Sequence, residues 1–252
     1  MRSATPSSVQ RSGSQTAPRP PTTGHHAPDD AIDPSVATVG PGRAPFSDPP
    51  LARTDRVIRL DQLDRDQVRS CQKCRLGQTR TQTVFGVGDP EAGIFFIGEG
   101  PGENEDLRGE PFVGRAGELL TKMIRAMGLA REKVYIANIV KCRPPNNRAP
   151  MPDETAACTP YLEQQLELIR PRVIVTLGLP ATQYMLQTRE PMSRLRGRWH
   201  AWRGIDLMPT YHPAYVLRQY THETRQAVWS DLQLVMQRIG LKMPQKTDDS
   251  AS

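Results

Sequence analysis

Three short apolar runs limit the folds open to this chain more than anything else in it: "GIFFIG" at 93–98, "VYIANIV" at 134–140 and "VIVTLG" at 173–178. Each is rich in β-branched and aromatic residues. None alternates with polar residues as a strand with one wet face would, so each predicts a strand buried on both faces. Helical patterns fill the intervals: "AGELLTKMIRAMG", "DETAACTPYLEQQLELIRP" with Asp153 as its N-cap, and "LPATQYMLQ". A short helix, "LDQLDRDQVRSC", precedes the first strand, and a long amphipathic one, "THETRQAVWSDLQLVMQRIG", follows the last. Strand and helix alternating in this way predict an α/β fold, a parallel sheet covered by helices on both faces. Ligands of such sheets bind beyond the carboxyl ends of the strands. The loops after Ile97, Val140 and Leu177, and the loop carrying His212, are therefore the places to look for chemistry.

The first 50 residues differ in kind. They hold 10 of the 24 prolines among many Ser, Thr and Gly, with almost no large apolar side chains, and predict a disordered tail. The expected organisation is a tail at 1–52, a folded body at 53–241 and a disordered C-terminus at 242–252. The tail lacks the apolar run of roughly 7 to 15 residues of a secretory signal. No stretch approaches the roughly 20 apolar residues of a membrane span. A soluble cytoplasmic protein with no membrane partner is expected. The tail carries four Arg and four Asp, so the remaining 29 basic and 23 acidic residues account for the whole formal charge of +6. A basic body suits a polyanionic partner, and it also suits a merely soluble surface; charge alone does not choose between them.

Four cysteines are present, Cys71 and Cys74 as C-x2-C and Cys142 and Cys158 as C-x15-C, with 67 residues between the pairs. Disulfides do not suit a reducing compartment. Lys73, Arg75, Lys141 and Arg143 adjoin the cysteines, and positive neighbours stabilise thiolates. Four thiolates suit structural zinc or an iron–sulfur cluster, and the spacing leaves both open.

After the first strand comes "EGPGENED". It has Gly98, Gly100 and Gly102 but Glu103 where a dinucleotide fingerprint needs its last glycine. Its acids, Glu99, Glu103, Glu105 and Asp106, would repel a pyrophosphate, so no nucleotide cofactor is expected. A tight turn that brings backbone close to a ligand, with a carboxylate beside it, fits better.

"GEGPGENED", "GEPFVGRAGELL", "ANIVKCRPPNNR", "VIVTLG" and "PTYHPAYVLR" occur in that order with the four cysteines at these spacings. Together, over roughly residues 55–240, they resemble the family 4, iron–sulfur type uracil-DNA glycosylases. The resemblance implies a three-layer αβα sandwich around a mainly parallel four-stranded sheet. It implies that Cys71, Cys74, Cys142 and Cys158 hold a structural [4Fe-4S] cluster. The activity implied is hydrolysis of the N-glycosidic bond of uracil in DNA, which releases the base and leaves an abasic site without a lyase step.

The resemblance also assigns roles. Asn138 reads uracil, since a side-chain amide can donate to O4 and accept from N3–H. Phe112 stacks on the flipped base. His212 donates to O2 as charge builds there. Glu99 orients or deprotonates the attacking water, with Glu105 in reserve. Gly100 lets backbone approach the substrate, and stands where other uracil-DNA glycosylases carry an aspartate. Val216, Leu217 and Arg218 are all candidates for a wedge pushed into the duplex.

"REPMSRLRGRWHAWR" holds five arginines and two tryptophans in 15 residues. That mixture suits phosphates and unstacked bases, or a salt-bridged hairpin surface. The expected partner is uracil-containing DNA, bound by a monomer associated with a bacterial nucleoid, with the tail recruiting a repair or replication protein. Two other readings compete. An iron–sulfur DNA-binding protein without catalysis would keep the cysteines and arginines but has no need of Glu99, Asn138 and His212 together. A related class that traps uracil covalently uses a histidine in the loop after Asn138, and "KCRPPNNRAPMP" has none.

Overall fold

The computed structural model describes residues 44–243. The chain enters through α1 (Arg53–Leu63), which runs into a π-helical turn over Asp64–Val68. Then follow β1 (Val87–Gly88), β2 (Ile94–Gly98), α2 (Glu103–Arg108), α3 (Arg115–Ala126) and β3 (Tyr135–Asn138). The second half adds α4 (Pro152–Ile169), β4 (Val173–Leu177), α5 (Leu179–Leu186), α6 (Met192–Leu195), β5 (His200–Trp202), β6 (Ile205–Thr210), α7 (Pro213–Arg218) and α8 (His222–Ile239).

The sheet order is β1-β3-β2-β4-β6-β5. The four inner strands are parallel, and β1 and β5 pair antiparallel at the two edges. The four expected strands thus form the centre of a six-stranded sheet among the described residues. The difference is the two short edge strands, which add few residues and bury little.

Alternation along the inner strands builds two cores. Phe95, Ile97, Ile174 and Leu207 face a layer containing Leu60 and Leu63 of α1, Tyr161, Leu162 and Leu166 of α4, and Met185 of α5. Ile94, Phe96, Val175 and Met208 face the other layer, with Leu120 and Ile124 of α3 and Leu232 and Val235 of α8. This is the expected αβα sandwich, and it explains why β2 and β4 read as unbroken apolar runs.

Local details depart from the sequence reading. Helix α1 starts before the expected Leu60, and its π-turn delivers the chain towards Cys71. Met151, not Asp153, is the N-cap of α4: Pro152 takes the first helical position and the Glu154 carboxylate accepts the Met151 N–H at 2.8 Å. Residues 44–52 lie against the body. Phe46 sits under the guanidinium groups of Arg170 and Arg203 at 3.8 and 4.2 Å, and Leu51 O accepts from Arg56 Nε at 2.7 Å. The remainder of the expected tail and nearly all of the expected disordered C-terminus lie outside the described residues. No helix among the described residues is long and apolar enough to cross a membrane.

Candidate active site

The carboxyl ends of the parallel strands open onto a cavity of about 770 Å³. Glu99, Gly100, Glu105, Phe112, Asn138 and His212 all line it. Every substrate-facing residue expected from the sequence is therefore brought to one place, from four separate stretches of chain.

Asn138 ends β3 opposite Gly98 of β2. It is buried, and its Oδ1 has no hydrogen-bond partner. A Cβ at Gly98 would collide with that oxygen and come within 2.7 Å of the Phe112 ring. Glycine at the strand end is what leaves room for both side chains. The peptide carbonyl of Asn138 is fixed from behind by the buried Lys141, whose Nζ donates to Asn138 O at 2.9 Å and to Gln165 Oε1 at 2.6 Å.

Phe112 lies on a tightly held loop at a positive φ of 55°. The Glu105 carboxylate accepts from Val113 N–H and Gly114 N–H at 2.9 and 3.0 Å and from Gly102 N–H at 3.1 Å. Arg131 donates to Pro111 O at 2.6 Å. The loop backbone rests on α3 at Gly117, where any Cβ would overlap the Phe112 carbonyl. The Phe112 ring reaches to 5.6 Å from the His212 ring, tilted by 33°.

His212 caps α7, and its Nδ1 accepts the Ala214 N–H at 3.1 Å. An amide must donate, so Nδ1 carries the lone pair and the ring proton sits on Nε2. Burial, with help from the Arg218 charge, depresses the imidazolium pKa to about 4. At neutral pH the ring is an uncharged donor through Nε2.

The four acids of the glycine loop part company. Glu103 is exposed and pairs with Arg143 at 3.4 Å. Asp106 is buried and accepts the Thr81 N–H on both oxygens at 3.0 Å. Glu105 is occupied as described. Only Glu99 has a carboxylate without a hydrogen bond or ion pair among the described residues, and desolvation raises its pKa above the ordinary carboxylate value. Gly100 packs so close to Val140 that a Cβ would come within 2.8 Å of Cγ2.

Val216 is buried in the α3–α8 core, so it is no wedge; Leu217 is half-buried and Arg218 exposed. The basic stretch is largely committed to structure. Arg196 pairs with the buried Asp231 at 2.8 Å, Arg203 with Glu167 at 2.6 Å and Arg194 with Glu190 at 2.9 Å, while Trp202 is buried. What the sequence did not flag is the rim formed by Tyr211, Tyr215 and Arg148, all lining the cavity. They lie within "PTYHPAYVLR" and "ANIVKCRPPNNR", but those motifs give them no role; only the folded chain brings them to the cavity.

The four cysteines meet behind the site, lining one small cavity between the π-turn, the loop after β3 and α4. Three of the sulfurs accept hydrogen bonds: Cys142 Sγ from Arg80 at 3.2 Å, Cys158 Sγ from the Lys141 N–H at 3.1 Å, and Cys71 Sγ from Tyr161 Oη at 3.3 Å. Burial pushes the Cys158 thiol up to about 12. Burial raises the Cys142 thiol as well, so these two would stay protonated unless a cationic group displaces the protons. No three His, Cys, Asp or Glu side chains among the described residues are arranged to hold a single metal ion. The donors aimed at sulfur, and the sharing of one cavity by four thiols, fit an anionic cluster spread over several irons.

Residues 85–233 match the model of the uracil DNA glycosylase superfamily. The chain is 46% identical over 194 residues to the type-4 uracil-DNA glycosylase of Saccharolobus solfataricus, covering 73% of this chain and 89% of that protein. It is likewise 46% identical over 195 residues to that of Archaeoglobus fulgidus (73% and 96% covered), and 46% identical over 170 residues to that of Thermotoga maritima (67% and 88%).

Proposed function

Since the chain belongs to the uracil-DNA glycosylase superfamily, and within it to the type-4 enzymes, we propose that the cavity at the strand ends is where a flipped uridine is read and cleaved. The protein is a hydrolase that removes uracil from DNA in repair. The observation that carries the assignment of the site is the buried, unpaired Asn138 Oδ1 beside Phe112 and His212. An unsatisfied buried acceptor costs about 1–3 kcal/mol. The N3–H of uracil relieves that cost while the amide NH2 donates to O4. Cytosine has no N3–H and presents a donor at position 4, so it would leave the amide wrongly paired.

In this reading the base leaves the stack and lies on Phe112. The bond between C1′ and N1 breaks with its electron pair passing to the base, and charge grows on O2. His212 Nε2–H, neutral and preorganised, stabilises that charge without transferring its proton. Glu99 holds a water against C1′ and takes its proton as the C1′–O bond forms. The uracil anion then takes up a proton from solvent and Glu99 gives back the one it gained, so the products are free uracil and an abasic sugar. Glu105 supports the Phe112 loop, and Gly100 keeps the turn thin enough for backbone to border the base.

Cys71, Cys74, Cys142 and Cys158 would hold a [4Fe-4S] cluster, which supplies a rigid cross-link between the N-terminal helix, the loop after β3 and α4. We read the chain as a monomer with its catalytic body at 53–241, acting on DNA in the bacterial nucleoid, and the N-terminal tail as a recruiting segment for another repair or replication protein.

The test is single-turnover reaction with a labelled oligonucleotide holding one uracil, beside thymine and cytosine controls, followed by alkali. Strand breaks confined to the uracil oligonucleotide are expected. Their absence from protein that carries its metal overturns the proposal and favours a binding protein.

A further inference from the structure

The tryptophans of the basic stretch do not form the aromatic surface at the cavity. Trp202 is buried, with Phe46 at 6.3 Å, and Trp199 is covered by the Arg238 guanidinium at 4.4 Å. Besides Phe112 and His212, the aromatic rings that border it are Tyr211 and Tyr215, stacked with centroids 4.9 Å apart and planes 29° from parallel. Tyr215 is 39% exposed. Behind this pair stands a fixed support. The guanidinium of Arg196 lies 5.3 Å from the Tyr211 ring and is held by the buried Asp231 through contacts of 2.8 and 3.2 Å. Asp231 also accepts from Thr210 Oγ1 at 2.7 Å, one residue before Tyr211. The stack is thus tied to α8 and to the end of β6, and an exposed ring already held in place loses little further freedom when it binds. Three residues along α7, on the same face, Arg218 is exposed, lines the cavity and has no hydrogen bond or ion pair among the described residues.

Resting on the function proposed above, we infer that the open face of Tyr215 is a stacking platform for the nucleobase next to the flipped uridine on the same strand, with Arg218 taking the adjoining phosphate. Flipping a nucleotide strips its neighbour of a stacking partner. An aromatic face replaces that partner whatever the neighbour's identity, since every base has a π-face. A free guanidinium beside it supplies the charge that a backbone phosphate requires.

The experiment is a binding and cleavage comparison on single-stranded oligonucleotides with one uracil. One has ordinary bases on both sides; two others have an abasic analogue immediately 5′ or immediately 3′ of the uridine. Wild-type protein is expected to bind one of the abasic-flanked oligonucleotides about 5- to 150-fold more weakly, the span of one base-stacking contact. Tyr215→Ala is expected to bind the ordinary oligonucleotide that much more weakly and to lose the discrimination, and Tyr215→Phe to keep it. Equal discrimination by wild type and Tyr215→Ala, or none by wild type, overturns the platform. Cleavage is read in the same reactions. Stacking dependence without cleavage supports the platform and sinks the glycosylase reading; cleavage without stacking dependence sinks the platform alone.

Discussion

Glu99 and Glu105 border one cavity six residues apart, and their surroundings separate them. Glu105 satisfies three backbone N–H groups. Glu105→Ala therefore leaves those donors unpaired and should cost about 1–3 kcal/mol of stability, seen as a lower midpoint in denaturant, with a raised KM as the Phe112 loop loosens. Glu99 satisfies nothing among the described residues. Glu99→Ala should lower kcat and leave the denaturation midpoint unchanged or higher; a matching loss of stability would show that Glu99 is structural. The pH profile follows from the same site. As pH falls, Glu99, held above the ordinary carboxylate value by desolvation, and His212, near 4, both take up protons in acid. Single-turnover rates should be flat at neutral pH and fall in acid, and in Glu99→Gln only the limb near 4 should remain. Because folding depresses the His212 pKa below its ordinary 6.5, the unfolded chain takes up that proton first. The contribution to stability is complete above 6.5 and is lost as pH falls towards 4. His212→Gln should flatten stability across that window, measured as denaturation midpoint against pH.

Helix α3 positions Phe112 by what it lacks. At Gly117 the loop backbone rests directly on the helix, so Gly117→Ala forces the Phe112 carbonyl away. A gain in helix propensity of about 1 kcal/mol cannot offset such an overlap. The expected outcome is a large rise in KM for uracil-containing oligonucleotide and a lower melting temperature; unchanged kinetics would refute the described approach. At this scale much was legible. The runs at β2, β3 and β4 are apolar on both faces and declared themselves. Strand β6 was legible only as part of a hairpin-like stretch, "RGRWHAWRGIDLMPTYHPAY", because Asp206 and Pro209 interrupt its apolar run. Pro209 is tolerated where β5 has already ended, so on that side there is no ladder bond for its missing N–H to make. The N-cap of α4 was misread because Asp153 is a better capping side chain than Met151. The buried Glu154, paired with Arg148 at 2.6 and 2.8 Å, satisfies the Met151 N–H instead.

The charge of the whole molecule decides how it meets DNA. Its excess of six positive charges lies outside the first 50 residues, but many of its guanidinium groups are engaged in ion pairs, so the salt dependence of binding should reflect those left free, with Arg218 the free one at the cavity among the described residues. Arg218→Ala should reduce the slope of log K against log salt by about 0.7–0.9; an unchanged slope would place Arg218 off the phosphate path. Iron and acid-labile sulfide should co-purify in equal amounts, and chelation should lower the melting temperature because α1, the loop after β3 and α4 lose their cross-link; unaltered stability after complete iron loss would deny the cluster its structural role. The sequence by itself determined the alternation of buried strands and helices, the four thiols and the residue types suited to reading and cleaving uracil. The first is written in local periodicity, and the others in motifs whose resemblance to a known family gives their side chains a role. Only the tertiary structure decided which carboxylate is free, which tautomer His212 holds, and which aromatic rings reach the mouth. The carboxylates are sorted largely by partners far away in the chain, Arg143 for Glu103 and Thr81 for Asp106, the rings are braced by Arg196 and Asp231, and the tautomer is set by the turn that brings the Ala214 N–H onto Nδ1 at the head of α7; no sequence pattern records such geometry.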